Sequence, residues 1–96
     1  MSDEILIDLR RRFRLRCLDD LAVLCAARQS STGLASSEFG IMVHRLSGAA
    51  GSFGYDELSR LARAIDDLLM QDEVPGVADL DRLQTALEAV RDDQSP

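Results

Sequence analysis

The chain has no tryptophan, no lysine, one tyrosine, two prolines and two cysteines among its 96 residues. Without lysine, every fixed side-chain cation has to be one of its 11 arginines. Cys17 and Cys25 stand eight residues apart, about 12 Å along the axis of one helix. A disulfide needs α-carbons within about 7 Å, and two cysteines with one distant histidine make a poor zinc site. We read both as small core residues in a reducing compartment. A basic surplus is also missing. Acids outnumber arginines 17 to 11 for a net charge of −6, which disfavours nucleic acid as the main partner. No apolar run is long enough to span a membrane, and the first residues carry acids where a signal peptide needs positive charge. These absences predict a cytoplasmic protein that neither inserts into membranes nor binds nucleic acid.

No stretch alternates apolar and polar residues, so half-buried strands are not predicted. What is present favours helix: 15 Leu and 11 Ala against 11 Val, Ile and Thr together, the straight-chain and small residues that lose little on helix formation. Ninety-six residues suffice for one domain, residues 1–96. A short helix is expected over about residues 3–12 and a bundle over about 13–92. From Phe13 the stripe Phe13, Cys17, Leu21, Leu24 follows helical spacing, while Leu15, Leu18 and Ala22 form a second stripe on the other side. Either the N-terminal segment folds back to cover the second stripe, or that stripe is a dimer contact. Residues 29–35 read as a loop. Ser36 caps the next helix, which ends at Gly54. Asp56 caps its successor with the stripe Leu58, Leu61, Ile65, Leu68. A turn holding Pro75 and Gly76 leads to Leu80, Leu83, Leu87 and Val90, and a polar tail follows. The expected fold is all-α, an antiparallel up-and-down four-helix bundle with a short additional N-terminal helix.

His44 is the only histidine, and its neighbours on the helix are unusual. Taking its direction as zero, Gly51 and Ser37 lie within about 20°, Gly40 and Gly48 within about 40° and Ser47 at about 60°. Phe39, Met42, Leu46, Ala49 and Phe53 form the opposite, apolar face. A core histidine would sit in that apolar stripe, and this one does not. Each glycine inside a helix costs about 1 kcal/mol relative to alanine. Three of them around one imidazole give up stability that folding alone would keep. A cleared surface through which another protein reaches the ring accounts for the cost. Imidazole ordinarily titrates near pH 6.5, so a neutral nitrogen is available as a nucleophile at cytoplasmic pH.

The run His44, Leu46, Gly48, Ala50, Phe53, Gly54, followed by Leu58, Leu61 and Ile65, resembles the histidine-containing phosphotransfer (HPt) domain of bacterial multistep phosphorelays. The resemblance is close over residues 36–70 and extends to the flanking helices by pattern. It implies that His44 accepts a phosphoryl group through Nε2 from a receiver-domain aspartate and passes it to another. The partners implied are receiver domains of response regulators or hybrid histidine kinases. Mg²⁺ is expected on the receiver, and no cofactor on this chain. One departure stands out: Ser47 occupies a position where the family usually carries a basic residue. Arg45, about 100° around the helix from His44, is the candidate replacement cation. Arg45, Ser47 and Gly48 are then the phosphoryl-site neighbours, and Ser37, Gly40, Ile41 and Gly51 the docking face.

Other motif readings fare worse. Gly48 to Gly54 has glycine spacing reminiscent of a nucleotide loop, but it lacks the Lys-Ser/Thr of a P-loop and follows no strand. Asp66 and Asp67 face different ways on their helix, so with Asp72 and Glu73 they read as a solvated face and not as a metal site. Arg10, Arg11, Arg12, Arg14 and Arg16 spread around the first helix with Asp8, Asp19 and Asp20 nearby. They read as a solvated stretch, with a docking patch as the alternative. No element here binds ATP, so autokinase activity is not expected. The expected role is a phosphotransfer carrier, monomeric or, through the second stripe, homodimeric. The alternative is a helical adaptor that binds receiver or kinase domains without phosphotransfer.

Overall fold

The Ser36 hydroxyl accepts a hydrogen bond from the Phe39 N–H at 3.2 Å, filling one of the donors that a helix start leaves open. The computed structural model describes residues 2–94; Met1 and the last two residues of the polar tail, Ser95 and Pro96, lie outside them. The chain runs α1 (Ser2–Gln29), a single 3₁₀ turn (Gly33–Ala35), α2 (Ser37–Ser52), α3 (Asp56–Met70) and α4 (Val77–Asp92). There is no strand among the described residues.

The short N-terminal helix is not a separate element. Residues 2–29 form one helix, because no glycine or proline interrupts them and arginine propagates a helix nearly as well as alanine. At 1.5 Å per residue α1 is about 42 Å long, against about 24 Å for α2 or α4. The difference accounts for a molecule measuring 46 × 22 × 21 Å. Phe13 is the first buried residue of α1. Before it, Arg10 lies over the Tyr55 ring at 5.4 Å, and residues 3–7 are exposed.

Gly54 closes α2 with φ +85°, a left-handed conformation that glycine enters without a Cβ clash. The Tyr55 N–H then returns to the Ala50 carbonyl at 2.9 Å. Asp56 is the first residue of α3 instead of its cap, and with Glu57 it places negative charge on the helix's positive end. The Gly76 N–H donates to the Asp79 carboxylate at 3.3 Å where α4 begins.

Each helix contributes one buried face. Phe39, Val43, Leu46, Leu24, Leu83 and Leu87 are fully enclosed, and each such side chain stabilises the fold by about 1.5–3 kcal/mol relative to exposure. At one end, Phe13 stacks on Tyr55 with ring centroids 5.8 Å apart and meets Phe53 at 5.3 Å. The Tyr55 hydroxyl donates to Asp93 at 2.8 Å and accepts from Arg14, so α1, the α2–α3 connection and the end of α4 are tied together. At the other end, Arg28 binds Asp81 at 2.6 Å and Gln84 at 2.9 Å.

Two expectations for α1 need correction. Cys17 is buried, and burial pushes its thiol up to about 12, which leaves it unreactive. Cys25, expected in the core, is exposed. The second stripe is uncovered as well, with Leu15 and Leu18 both exposed. The bundle buries one face of α1, and among the described residues no segment folds back over Leu15 and Leu18.

Candidate functional site

The opposite faces of α2 separate as its sequence predicts. Phe39, Met42, Val43, Leu46 and Ala50 are buried, while His44 stands outward with 73% of its side chain exposed. The ring is not free to turn. His44 Nδ1 lies 3.1 Å from Oδ2 of Asp66 on α3, and the Asp66 side chain is only 14% exposed. A carboxylate can only accept, so Nδ1 carries the proton and the Nε2 lone pair points away from the bundle. Asp66, read from sequence as part of a solvated face, is the residue that orients the imidazole. The pairing follows from the connection at Gly54 and Tyr55: residues equally far from it on either side come to face one another. That mirror relation was the available signal.

The small residues around His44 divide into two groups. A methyl group at Gly40 or Gly48 would meet no atom within 4 Å, so neither glycine is required by packing inside the molecule. Gly51 is different: a Cβ there would come 3.3 Å from the Ser59 hydroxyl of α3. Ser59 donates to the Ser47 carbonyl at 2.7 Å, and Ser47 donates to the His44 carbonyl at 2.7 Å. Gly51, Ser47 and Ser59 therefore form the close contact between α2 and α3. Ser47 is buried, not on the surface beside the ring, because its side of α2 is the side that α3 covers. Ser37, Ile41 and Gly48 are exposed, and Gly40 is half-buried.

Arg45 does not reach over the imidazole. Its guanidinium is bound to Asp20 of α1, on the other side of α2 from Asp66. Asp20 is 3% exposed, so the expected solvated stretch of α1 includes one buried carboxylate. Burial raises the Asp20 pKa, an effect that Arg45 partly opposes. A buried carboxylate without a countercharge costs several kcal/mol, which is why the nearest arginine is drawn inward. Even so, Asp20 Oδ2 finds no hydrogen-bond partner. The phosphoryl-site neighbours expected from sequence therefore separate: Gly48 lies beside His44 on the open face, Ser47 beneath it, and Arg45 on the far side.

This arrangement suits an exchange between proteins. One nucleophilic nitrogen is oriented by a partly buried carboxylate and stands on an open helical face with two glycines whose missing side chains no neighbour fills. A family model described as Hpt domain matches residues 8–93, which leaves the residues before Asp8 outside the match. Comparison with curated proteins and with solved structures gives no match. No helix among the described residues is long and apolar enough to cross a membrane. The match runs through all four helices and includes His44, Asp66 and the glycines, and on that evidence the chain belongs to the Hpt domain family.

Proposed function

We propose that this protein is a cytoplasmic phosphotransfer carrier, in which His44 takes a phosphoryl group from a receiver-domain aspartate and delivers it to another. The observation that carries the reading is the exposed imidazole with Nδ1 bound to Asp66. Nε2 attacks the phosphorus of the acyl phosphate, the N–P bond forms, the P–O bond to the aspartate breaks, and the carboxylate leaves. Nδ1 keeps its proton, so the ring gains positive charge as the bond forms. The Asp66 carboxylate, 3.1 Å away, offsets that charge. Transfer of this kind depends on in-line positioning and electrostatic stabilisation. Mg²⁺ belongs to the receiver's acids in this scheme. An antiparallel up-and-down arrangement is part of the same reading. It is supported by Asp20 meeting Arg45 while Phe13 meets Phe53, and by His44 meeting Asp66 while Ser47 meets Ser59.

The test is incubation with a receiver carrying a labelled acyl phosphate. The expected product is a label on this chain that is lost in acid, survives in base and passes to a second receiver. An adaptor would bind the receiver and remain unlabelled.

Asp66 should act as a positioning residue. Asp66→Ala removes both the tautomer lock and the charge, and transfer should slow about tenfold to hundredfold. Asp66→Asn keeps an acceptor for the Nδ1 proton and should lose less. Single-turnover rates across a pH series check this, because a merely structural Asp66 would leave the shape of the pH profile unchanged.

Gly48→Gln should obstruct the approach of the receiver. Normal helicity with transfer slowed about tenfold, or 1.4 kcal/mol in the barrier, is expected. Circular dichroism with single-turnover kinetics reads both.

A further inference from the structure

Charge differs between the two sides of the face that carries His44. On the α3 side, residues 64–75 hold four carboxylates and no arginine. Asp66 holds the ring, and Asp72 and Glu73 line a hollow beside Gly40. On the α1 side, residues 8–20 hold five arginines and three aspartates in a chain of net charge −6. An open groove between α1 and α2 is lined there by Phe13, Ala49 and Phe53 and by Arg12, Arg16 and Arg45. Ala49 stands about 7.5 Å along α2 from His44. Arg45 is committed to Asp20, and Arg12 shares Asp8 with Arg11. Arg16 forms no ion pair among the described residues, so this end of the groove keeps positive charge over an apolar lining. Toward Ser37 the groove turns acidic, with Asp19 and Glu38. Gly48 opens onto the basic end. On the helical wheel it lies between His44 and Arg45, and a methyl group there would meet no atom within 4 Å. Gly51 faces α3 instead, against the Ser59 hydroxyl.

We infer that the phosphorylated receiver docks on the Gly48 end of the α1–α2 groove, an inference that rests on the phosphotransfer reading. The phosphoryl group brings about two negative charges, and in that reading the acids that hold Mg²⁺ surround it. Such a surface is drawn to Arg12 and Arg16 and repelled by the carboxylates on the α3 side. The receiver therefore reaches His44 over Gly48, with apolar side chains against Ala49 and Phe53 and its carboxylates toward Arg12 and Arg16. Asp19 and Glu38 oppose a shift of that acidic surface toward Ser37.

Titration with a receiver domain loaded with beryllofluoride, an unreactive stand-in for the acyl phosphate, reads docking apart from chemistry. Arg12→Glu with Arg16→Glu should leave helicity unchanged and weaken binding at least tenfold at about 50 mM salt, with the difference shrinking at about 500 mM. At subsaturating receiver, transfer of labelled phosphate should slow by the same factor. Labelling of His44 by phosphoramidate, a small donor that needs no docking, should be unchanged. Asp72→Asn with Glu73→Gln should bind and transfer at least as well as the parent. Unchanged affinity in the double arginine variant would overturn the inference, as would a parent that does not bind the loaded receiver. A loss in the Asp72 and Glu73 variant would place the receiver on the α3 side and overturn it as well. Equal slowing with phosphoramidate would mean that the arginines act on the ring and not on docking. A parent that binds the loaded receiver but is never labelled would refute the phosphotransfer reading, and the affinities of the variants would still decide the groove.

Discussion

His44→Gln is expected to abolish phosphoryl acceptance while leaving the folding equilibrium within about 1 kcal/mol of the parent. The side chain is 73% exposed, so little packing is lost. The glutamine amide can donate to Asp66 in place of Nδ1–H, which keeps that partly buried carboxylate hydrogen-bonded. No other side chain of this protein combines a nucleophilic nitrogen with an open helical face, so nothing can substitute for the ring. Denaturant titration checks the fold, and labelling by a phosphorylated receiver checks the chemistry. Labelling that survives would move the acceptor away from His44. A variant that unfolds would show that the His44–Asp66 contact holds α2 to α3 far more strongly than its exposure implies.

Gly33→Ala should be the most destabilising conservative change in the protein. Gly33 follows α1 in the turn before α2, and a Cβ there would lie 2.5 Å from the Ala27 carbonyl oxygen and 2.7 Å from the Ala27 α-carbon. Both are backbone atoms, so no rotamer change relieves the overlap. Either the turn lifts off α1 or the last turn of α1 unwinds. We expect a loss of about 3 kcal/mol, a large share of the stability of a domain this size. That corresponds to a fall of about 15 °C in Tm. Gly48→Ala is the matched control. It meets no atom within 4 Å and should gain up to about 1 kcal/mol from helix propensity. Thermal melts of the two variants beside the parent separate a glycine kept for close approach from one that leaves a surface open.

How much was legible from sequence depends on the range of the interaction. The caps and stripes were legible because they are local. Ser36 bonds the third residue on, Gly54 turns left-handed, and Leu80, Leu83, Leu87 and Val90 bury one side of α4. The continuity of α1 was misread because apolar residues on several faces suggested several partners, although the segment contains no residue that breaks a helix. Arg45 was misplaced for a different reason. Its direction depends on how α2 is rotated against α1, and Asp20, 25 residues away, competes for the guanidinium inside the structure. A helical wheel of α3 alone groups Asp66 with its acidic neighbours, because it does not show what lies across from it. Only the pairing of α2 with α3 does.

The same pairing bears on the missing cation. Ser47 is buried and Arg45 is committed to Asp20, so Arg45 does not stand in at His44 for a basic residue at position 47. Replacing Ser47 by lysine would push a long cationic chain into the contact between α2 and α3, where Ser59 already donates to the Ser47 carbonyl at 2.7 Å.

The central claim is that Asp66 holds the His44 proton on Nδ1 and leaves Nε2 as the acceptor. The most direct measurement is the position of the phosphoryl group on the ring, read by ¹⁵N and ³¹P NMR of the chain after transfer from a phosphorylated receiver. The account predicts a single phosphohistidine, bonded at Nε2 of His44, with Nδ1 still protonated. Phosphorylation at Nδ1, or phosphate on a carboxylate with the imidazole unmodified, would contradict it.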